Sequence, residues 1–167
     1  SLGFSIDADG VVTTNASFEA NYENAQSQSF TVVATDAAGN PSEQVVSVAI
    51  NNLDEVAPSI TSGDTAAAID ENTGANQVIY TATADDSLDI SAGVTFSLTG
   101  DSDPALSIDS LTGAVTLNAD ADYETQSQYS FTVIADDAVN EAVEQSVTLD
   151  INNLDEVAPV VSSGTTA

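Results

Sequence analysis

The stretch Ile50-Asn51-Asn52-Leu53-Asp54-Glu55-Val56-Ala57-Pro58 returns unchanged as Ile151 to Pro159. Ile50 and Ile151 are 101 residues apart, and the same spacing carries Tyr22 onto Tyr123 and Phe30 onto Phe131. A repeat of that length holds a whole domain, whereas solenoids and propellers repeat roughly every 20 to 50 residues. Each nonapeptide leaves a strand through Ile-Asn-Asn, presents Asp-Glu and closes on Ala-Pro, where proline cannot donate to a sheet ladder. The stretch reads as the joint between successive domains.

N-terminal to the first joint, Val46, Val48 and Ile50 alternate inward with Ser47 and Ala49 outward, which is the pattern of a last strand. Before them, Ala37 to Pro41 forms a loop, and Ser29 to Thr35 is a strand with Phe30, Val32 and Ala34 on one face. Asp36 stands at the end of that strand. Ser5 to Asp7 and Val11 to Thr14 flank the turn dipeptide Asp9-Gly10 and predict a hairpin. Because Phe4-Ser-Ile-Asp7 aligns with Leu106-Ser-Ile-Asp109, the sequence opens within a repeat.

Between the joints the repeat is complete. Ser59 to Ser62 and Ala66 to Ile69 read as a broken first strand. Further strands are predicted at Val78–Ala84, Val94–Leu98, Leu106–Asp109, Ala114–Leu117, Gln128–Asp136 and Val143–Ile151. Seven short strands separated by turn signals predict an all-β, Ig-like β-sandwich repeat of about 101 residues. Phe131, Val133, Ala135, Val147, Leu149 and Ile151 point inward, each large side chain contributing roughly 1.5–3 kcal/mol when fully buried. The domain boundaries follow as 1–57 for a C-terminal part of a repeat, 58–159 for a complete repeat and 160–167 for the start of the next. The mid-repeat opening is expected of a trimmed stretch of a longer chain; completion by a neighbouring chain's strands is the other reading.

Composition narrows the function. Among 167 residues there is no Lys, Arg or His against 27 Asp and Glu, a formal charge of −27. No side-chain salt bridge is available, so any compensation for converging carboxylates comes from solvent cations or a bound metal. Such a surface repels phosphate backbones and anionic headgroups, which argues against nucleic acid and membrane-surface partners. Cysteine is absent, and no apolar run reaches the roughly 18 residues of a membrane span. Without His, Cys or Lys most nucleophilic and general-base arrangements are excluded. Paired carboxylates alone invite a glycosidase reading, but these acids recur at joints and no Trp is present to stack a sugar. The chain is read as not an enzyme. Asn15-Ala16-Ser17 matches a glycosylation sequon, a pattern short enough to arise by chance.

The acids cluster at strand ends and joints: Asp54-Glu55, Glu71, Asp85-Asp86, Asp89, Asp122, Glu124 and Asp136-Asp137. Calcium requires about six to eight oxygen ligands, which carboxylates and loop carbonyls supply. Two unpaired carboxylates about 4 Å apart repel by roughly 4 kcal/mol at an effective dielectric of 20, so a divalent ion is the natural partner. Scattered acids such as Glu43, Asp101, Asp103 and Glu144 read as solvated surface.

Glu71-Asn72, Asp122-Tyr123-Glu124, the strand ends Ala34-Thr35-Asp36 and Ala135-Asp136-Asp137, and the acidic joint ending in Ala-Pro together resemble cadherin repeats. The style, with Ser-Ile-Asp and Thr-Gly-x-Val-Thr, resembles the cadherin-like repeats of giant secreted bacterial adhesins. That resemblance implies calcium between successive repeats. At the first joint it implies Glu23 and Asn21, the linker acids Asp54 and Glu55, then Asp137 with one or two of Asp85, Asp86 and Asp89. Asn21 stands where the family has Asp, and the Asp85–Asp89 run leaves its register open. Glu71, Asp122, Glu124, Asp155 and Glu156 would serve the following joint, and Asp36 the preceding one. The implied function is a calcium-stiffened extracellular stalk segment whose partners are neighbouring repeats of the same chain. The alternative is an adhesion module that binds polysaccharide or another adhesin chain.

Overall fold

The computed structural model describes residues 3–164. It contains strands and no helix among them, and divides into two compact units, one up to Asp54 and one from Glu55. Each is described by itself.

In the first unit β1 (Phe4–Ile6) pairs antiparallel with β2 (Val12–Thr14), and β3 (Ser27–Thr35) with β4 (Pro41–Ala49). The β1–β2 connection is wider than a two-residue turn. Asp7 accepts the N–H groups of Asp9 (3.0 Å) and Val11 (2.9 Å) on its Oδ1; its own N–H still bonds to the Val11 carbonyl at 3.1 Å, so the side chain takes only the return half of that rung. Asp36 closes the β3–β4 connection in the same way, accepting the N–H groups of Ala38 and Asn40 and the Asn40 Nδ2. Phe4 packs against Phe18 and Phe30, with ring centroids 5.0 and 4.7 Å apart. Val48, expected to point inward, is 38% exposed. The reason is that only the short β1–β2 hairpin lies against β3–β4 among the described residues of this unit: Phe4 packs on Phe30, and Phe30, Val32 and Val46 are partly buried while Val48 is not.

The second unit begins with β5 (Ser59–Ile60), followed by β6 (Ile69–Asp70), β7 (Gln77–Thr81) and β8 (Ala84–Asp85). It continues through β9 (Thr95–Leu98), β10 (Leu106–Ile108), β11 (Ala114–Leu117), β12 (Gln128–Asp136) and β13 (Val143–Asn152). The first strand is broken as expected: Ser59–Ile60 pairs with β8, Thr65 bridges Thr148, and β6 runs parallel to the end of β13. Beside the small β5–β8 pair, two larger sheets result, ordered β6-β13-β12-β9 and β10-β11-β7. They face each other as a β-sandwich, the period-two face of each supplying the core. Phe131, Val133, Ala135, Val147, Leu149 and Ile151 from one sheet meet Ile79, Val115 and Leu117 from the other, all buried. Tyr80 crosses the edge of Phe131 at 5.6 Å and donates its hydroxyl to the Gly63 carbonyl at 2.5 Å.

Two features of this topology place functional side chains. The β6–β13 pair is parallel, with Ile151 opposite Ile69 and Asn152 opposite Asp70, so both strands end at the same pole. The antiparallel β12–β13 pair sets Gln128 opposite Asp150, which brings the turn preceding β12 to that pole as well. Residues 160–164 form no strand, and the rest of the 160–167 segment read as a new repeat lies outside the described residues.

Candidate metal centre

Glu71 follows β6, Glu124 lies in the turn before β12, and Glu156 follows β13. The shared pole converges them: one carboxylate oxygen from each lies within 4.8 Å of the others. Glu71 is 1% exposed, which a carboxylate tolerates only when its oxygens are satisfied. Oε1 accepts the Leu154 N–H at 2.6 Å and Oε2 the Tyr123 N–H at 2.8 Å. The chain arrives at those donors by register, since Glu71 N–H itself bonds to the Asn152 carbonyl at 3.2 Å.

Electrostatics sets Glu71 and Glu156 apart. The Leu154 N–H, then that of Tyr123, hold the Glu71 carboxyl below its ordinary value. Desolvation pushes Glu156 the other way, reinforced by its hydrogen bond with Glu71 and by the charges of Glu71 and Glu124. Glu71 is thus the committed anion, and Glu156 carries the penalty of approaching it.

Two asparagines that the sequence did not single out as partners touch the cluster. Asn72 donates Nδ2 to Glu156 Oε1 at 2.8 Å, and Asn153 donates Nδ2 to Glu124 Oε1 at 2.9 Å. Glu71-Asn72 was legible as a dipeptide and Asn153 as part of the joint; their contacts depend on the parallel register, which no local pattern reveals. Asp122 and Asp155, expected to serve the same joint, also cap their own turns. Asp122 accepts the N–H and hydroxyl of Thr125, and Asp155 accepts the Val157 N–H. Neither joins the three glutamates.

At the opposite pole of this unit, β12 ends on Asp136, Asp137 follows it, and β8 leads into the Asp85–Asp89 run. Asp137, 4% exposed, is held below the ordinary carboxylate range by the Asn140 side chain, then by the Asn140 and Val139 N–H groups. Asp86 brings an oxygen within 4.8 Å of Asp137, and Glu55 one within 4.8 Å of Asp89. Asp86 also accepts the Ser91 hydroxyl, while Asp85 accepts the Ser87 N–H. Asp86 and Asp89 are therefore the members of the run that meet other acids.

Among the remaining expected residues, Glu23 and Asp54 lie in the first unit. There Asn21 accepts the Asn24 N–H at 2.7 Å. Asp36 is the positional counterpart of Asp137, held low by the Asn40 side chain and then by its N–H, yet it is exposed.

The donor set at Glu71, Glu124 and Glu156 consists of hard oxygens without imidazole or thiolate, which suits calcium, magnesium or manganese better than zinc or copper. Three carboxylates fall short of about six ligands, so carbonyls, water or further acids would complete the shell.

Residues 59–152 match the family profile described as a cadherin domain. Over 164 residues the chain is 29% identical to the protocadherin-like wing polarity protein stan of Drosophila melanogaster, covering 92% of this chain and 4% of that one. Solved structures share the fold. Mouse clustered PcdhgC3 EC1-3 superposes with a TM-score of 0.68 at 15% identity, covering 92% of this chain and 52% of that one. Mouse cadherin-23 EC22-24 gives 0.64 at 20% identity, covering 92% and 51%.

Proposed function

The chain belongs to the cadherin domain family, and on that premise we propose that it is a calcium-binding structural segment of an extracellular adhesion protein. The observation that carries this reading is the buried Glu71 carboxylate, with Glu124 and Glu156 oxygens within 4.8 Å, in a chain without a single Lys, Arg or His. Glu71, Glu124 and Glu156 would hold one calcium ion, which supplies the positive charge these residues lack. Glu71 anchors the site because its rotamer is fixed from both oxygens by backbone N–H groups. Glu124 and Glu156 close on it from the turn before β12 and the segment after β13.

Asp86, Asp89, Asp137 and Glu55 form the second acidic pole of the same unit, and by position in the repeat they serve the joint toward residues 1–54. Glu23 and Asp54 are proposed as that joint's ligands from the first repeat, with Asp36 serving an earlier joint. Asp122 and Asp155 are proposed as ligands through the lone pairs that their turn-capping bonds leave open. The biological setting we favour is a repeat in the stalk of a giant secreted bacterial adhesin, the joint cation stiffening successive repeats. Support for that setting is the unchanged nonapeptide and the motif style, both features of the sequence.

The test is calcium titration by calorimetry on the full chain, with thermal melts in calcium and in chelator. Extracellular calcium modules bind with dissociation constants on the order of 10⁻⁴ to 10⁻³ M, so saturable heat in that range is expected. No heat together with an unchanged melt would falsify the calcium reading. Pairing between copies is the second reading, favoured by the cadherin relationship: one similar structure, of protocadherin gammaB7, is described as a cis-dimer. Sedimentation in calcium that stays monomeric at high concentration removes it.

A further inference from the structure

Asn72 and Asn153 meet the glutamate cluster as donors, not as additional acids. Asn72 holds Glu156 at 2.8 Å and Asn153 holds Glu124 at 2.9 Å. Asn72 also carries a φ of 58°, in the left-handed region that side chains rarely adopt and asparagine tolerates better than most. Its backbone is fixed there by the N–H bond to the Ala121 carbonyl at 2.9 Å. The consequence is a sharp reversal directly after Glu71. One side chain turns into the interior, and the next reaches the segment beyond β13.

The chemistry of the donor matters as much as its position. A carboxylate approaching two others needs a hydrogen-bond donor to hold it, and Lys or Arg would supply one. A fixed cationic side chain would also compete with an arriving cation for the same charge. An amide donates without adding charge and leaves the other lone pairs of the carboxylate available. Both contacts are amides, in a chain that contains no cationic side chain.

Resting on the calcium reading above, we infer that Asn72 and Asn153 are positioning residues that assemble the carboxylate cradle before the ion arrives, and that Asn72 sets the calcium affinity of this pole. They hold Glu156 and Glu124 in binding rotamers, so that the ion meets ligands already gathered around Glu71.

Asn72→Gly in the full chain isolates the amide, because glycine accepts the left-handed backbone without strain. Asn76→Gly is the matched control: Asn76 has a φ of 63°, an N–H bond to the Leu117 carbonyl at 2.8 Å and no hydrogen bond to the three glutamates. Calcium is titrated while following the backbone amide resonances of Tyr123 and Leu154, the two donors to Glu71. Asn72→Gly is expected to weaken the dissociation constant read at those resonances by about tenfold, as supporting residues of metal ligands commonly do. Asn76→Gly should leave it unchanged, and the two variants should melt together in chelator. In wild-type protein with chelator, the Asn72 side-chain amide protons should exchange more slowly than those of Asn76. Equal calcium affinity of the two variants, or equal exchange of the two amides, overturns the positioning role and leaves the calcium reading intact. Tyr123 and Leu154 resonances unmoved by calcium in the wild type overturn both.

Discussion

A methyl group on Gly113 would lie 2.3 Å from the Ala82 carbonyl oxygen, and the residue already sits at a φ of 70°. The approach is tight because the Ala82 N–H bonds to the Gly113 carbonyl at 2.9 Å, where the chain leaving β7 meets the loop before β11. Gly113→Ala is therefore expected to destabilise the second unit by about 2–4 kcal/mol, measured by urea unfolding. Gly63→Ala, whose methyl meets nothing within 4 Å, should change stability by less than about 0.5 kcal/mol. Asp109 illustrates a different residue-scale device. Its carboxyl is held low by the Thr112 N–H, then the Thr112 hydroxyl and the Leu111 N–H. A depressed folded value means this stabilisation is complete above the ordinary carboxylate value and is lost as pH falls through the lower one. Asp109→Asn should accordingly flatten the acid limb of a melting-temperature profile below about pH 4. Glu156 has the opposite sign: its raised folded value makes ionisation costly as pH climbs through the window above the ordinary one. Glu156→Gln keeps an acceptor for Asn72 and removes that cost. In chelator near neutral pH it should raise the melting temperature, while in calcium it should weaken binding by about tenfold. A variant that melts lower than wild type in chelator would show that the three carboxylates do not oppose one another.

The hairpins β3–β4 and β12–β13 occupy equivalent places in the repeat and share a long antiparallel ladder. Their burial differs throughout. Val133 and Leu149 are 0% exposed, whereas Val48, the counterpart of Leu149, is 38% exposed. Leu149→Ala should cost about 2–5 kcal/mol, and Val48→Ala less than about 0.5, by the same urea measurement. Amide exchange should likewise be slow along β12 and β13 and fast along β3 and β4, because protection follows burial and not ladder length. This contrast marks how far the sequence could be read. Period-two alternation identified Phe131 to Ile151 as an inward face correctly, and the same alternation pointed Val48 inward. Whether an inward face is covered depends on a partner sheet that periodicity does not encode. The broken first strand was legible from its turn residues, and the wider β1–β2 loop was not, since the Asp7 side chain takes bonds that Asp9-Gly10 alone would not predict. At the site, motif order brought out Glu71, Glu124 and Glu156. It marked Asp122 and Asp155 equally without revealing that both also cap local turns, and it passed over the Asn72 and Asn153 contacts, which exist only once β6 and β13 are in parallel register.

At the scale of the whole chain, a charge of −27 with no cationic side chain makes two kinds of cation dependence separable. Diffuse repulsion among exposed acids is screened by any salt, with a Debye length of about 10 Å at 0.1 M falling to about 3 Å at 1 M. Raising sodium chloride in chelator should therefore raise the melting temperature gradually and without saturation. A coordinated cation acts by mass action and does so at far lower ionic strength than screening requires. Calcium at about ten times a dissociation constant near 0.5 mM would add about 1.4 kcal/mol. For a domain of roughly 100 residues that is a rise of about 5 to 10 °C, reached at a few millimolar, where sodium chloride of equal ionic strength does little. Magnesium provides the sharper comparison, since its charge equals that of calcium while its small, strongly hydrated ion demands near-octahedral geometry. If the pole built by Glu71, Glu124 and Glu156 coordinates its ion, magnesium should stabilise far less than calcium at the same concentration. Equal effects of the two would mean that the acids answer only to charge density, and the cradle after β6 and β13 would then be a solvated end of the sandwich and not a binding site.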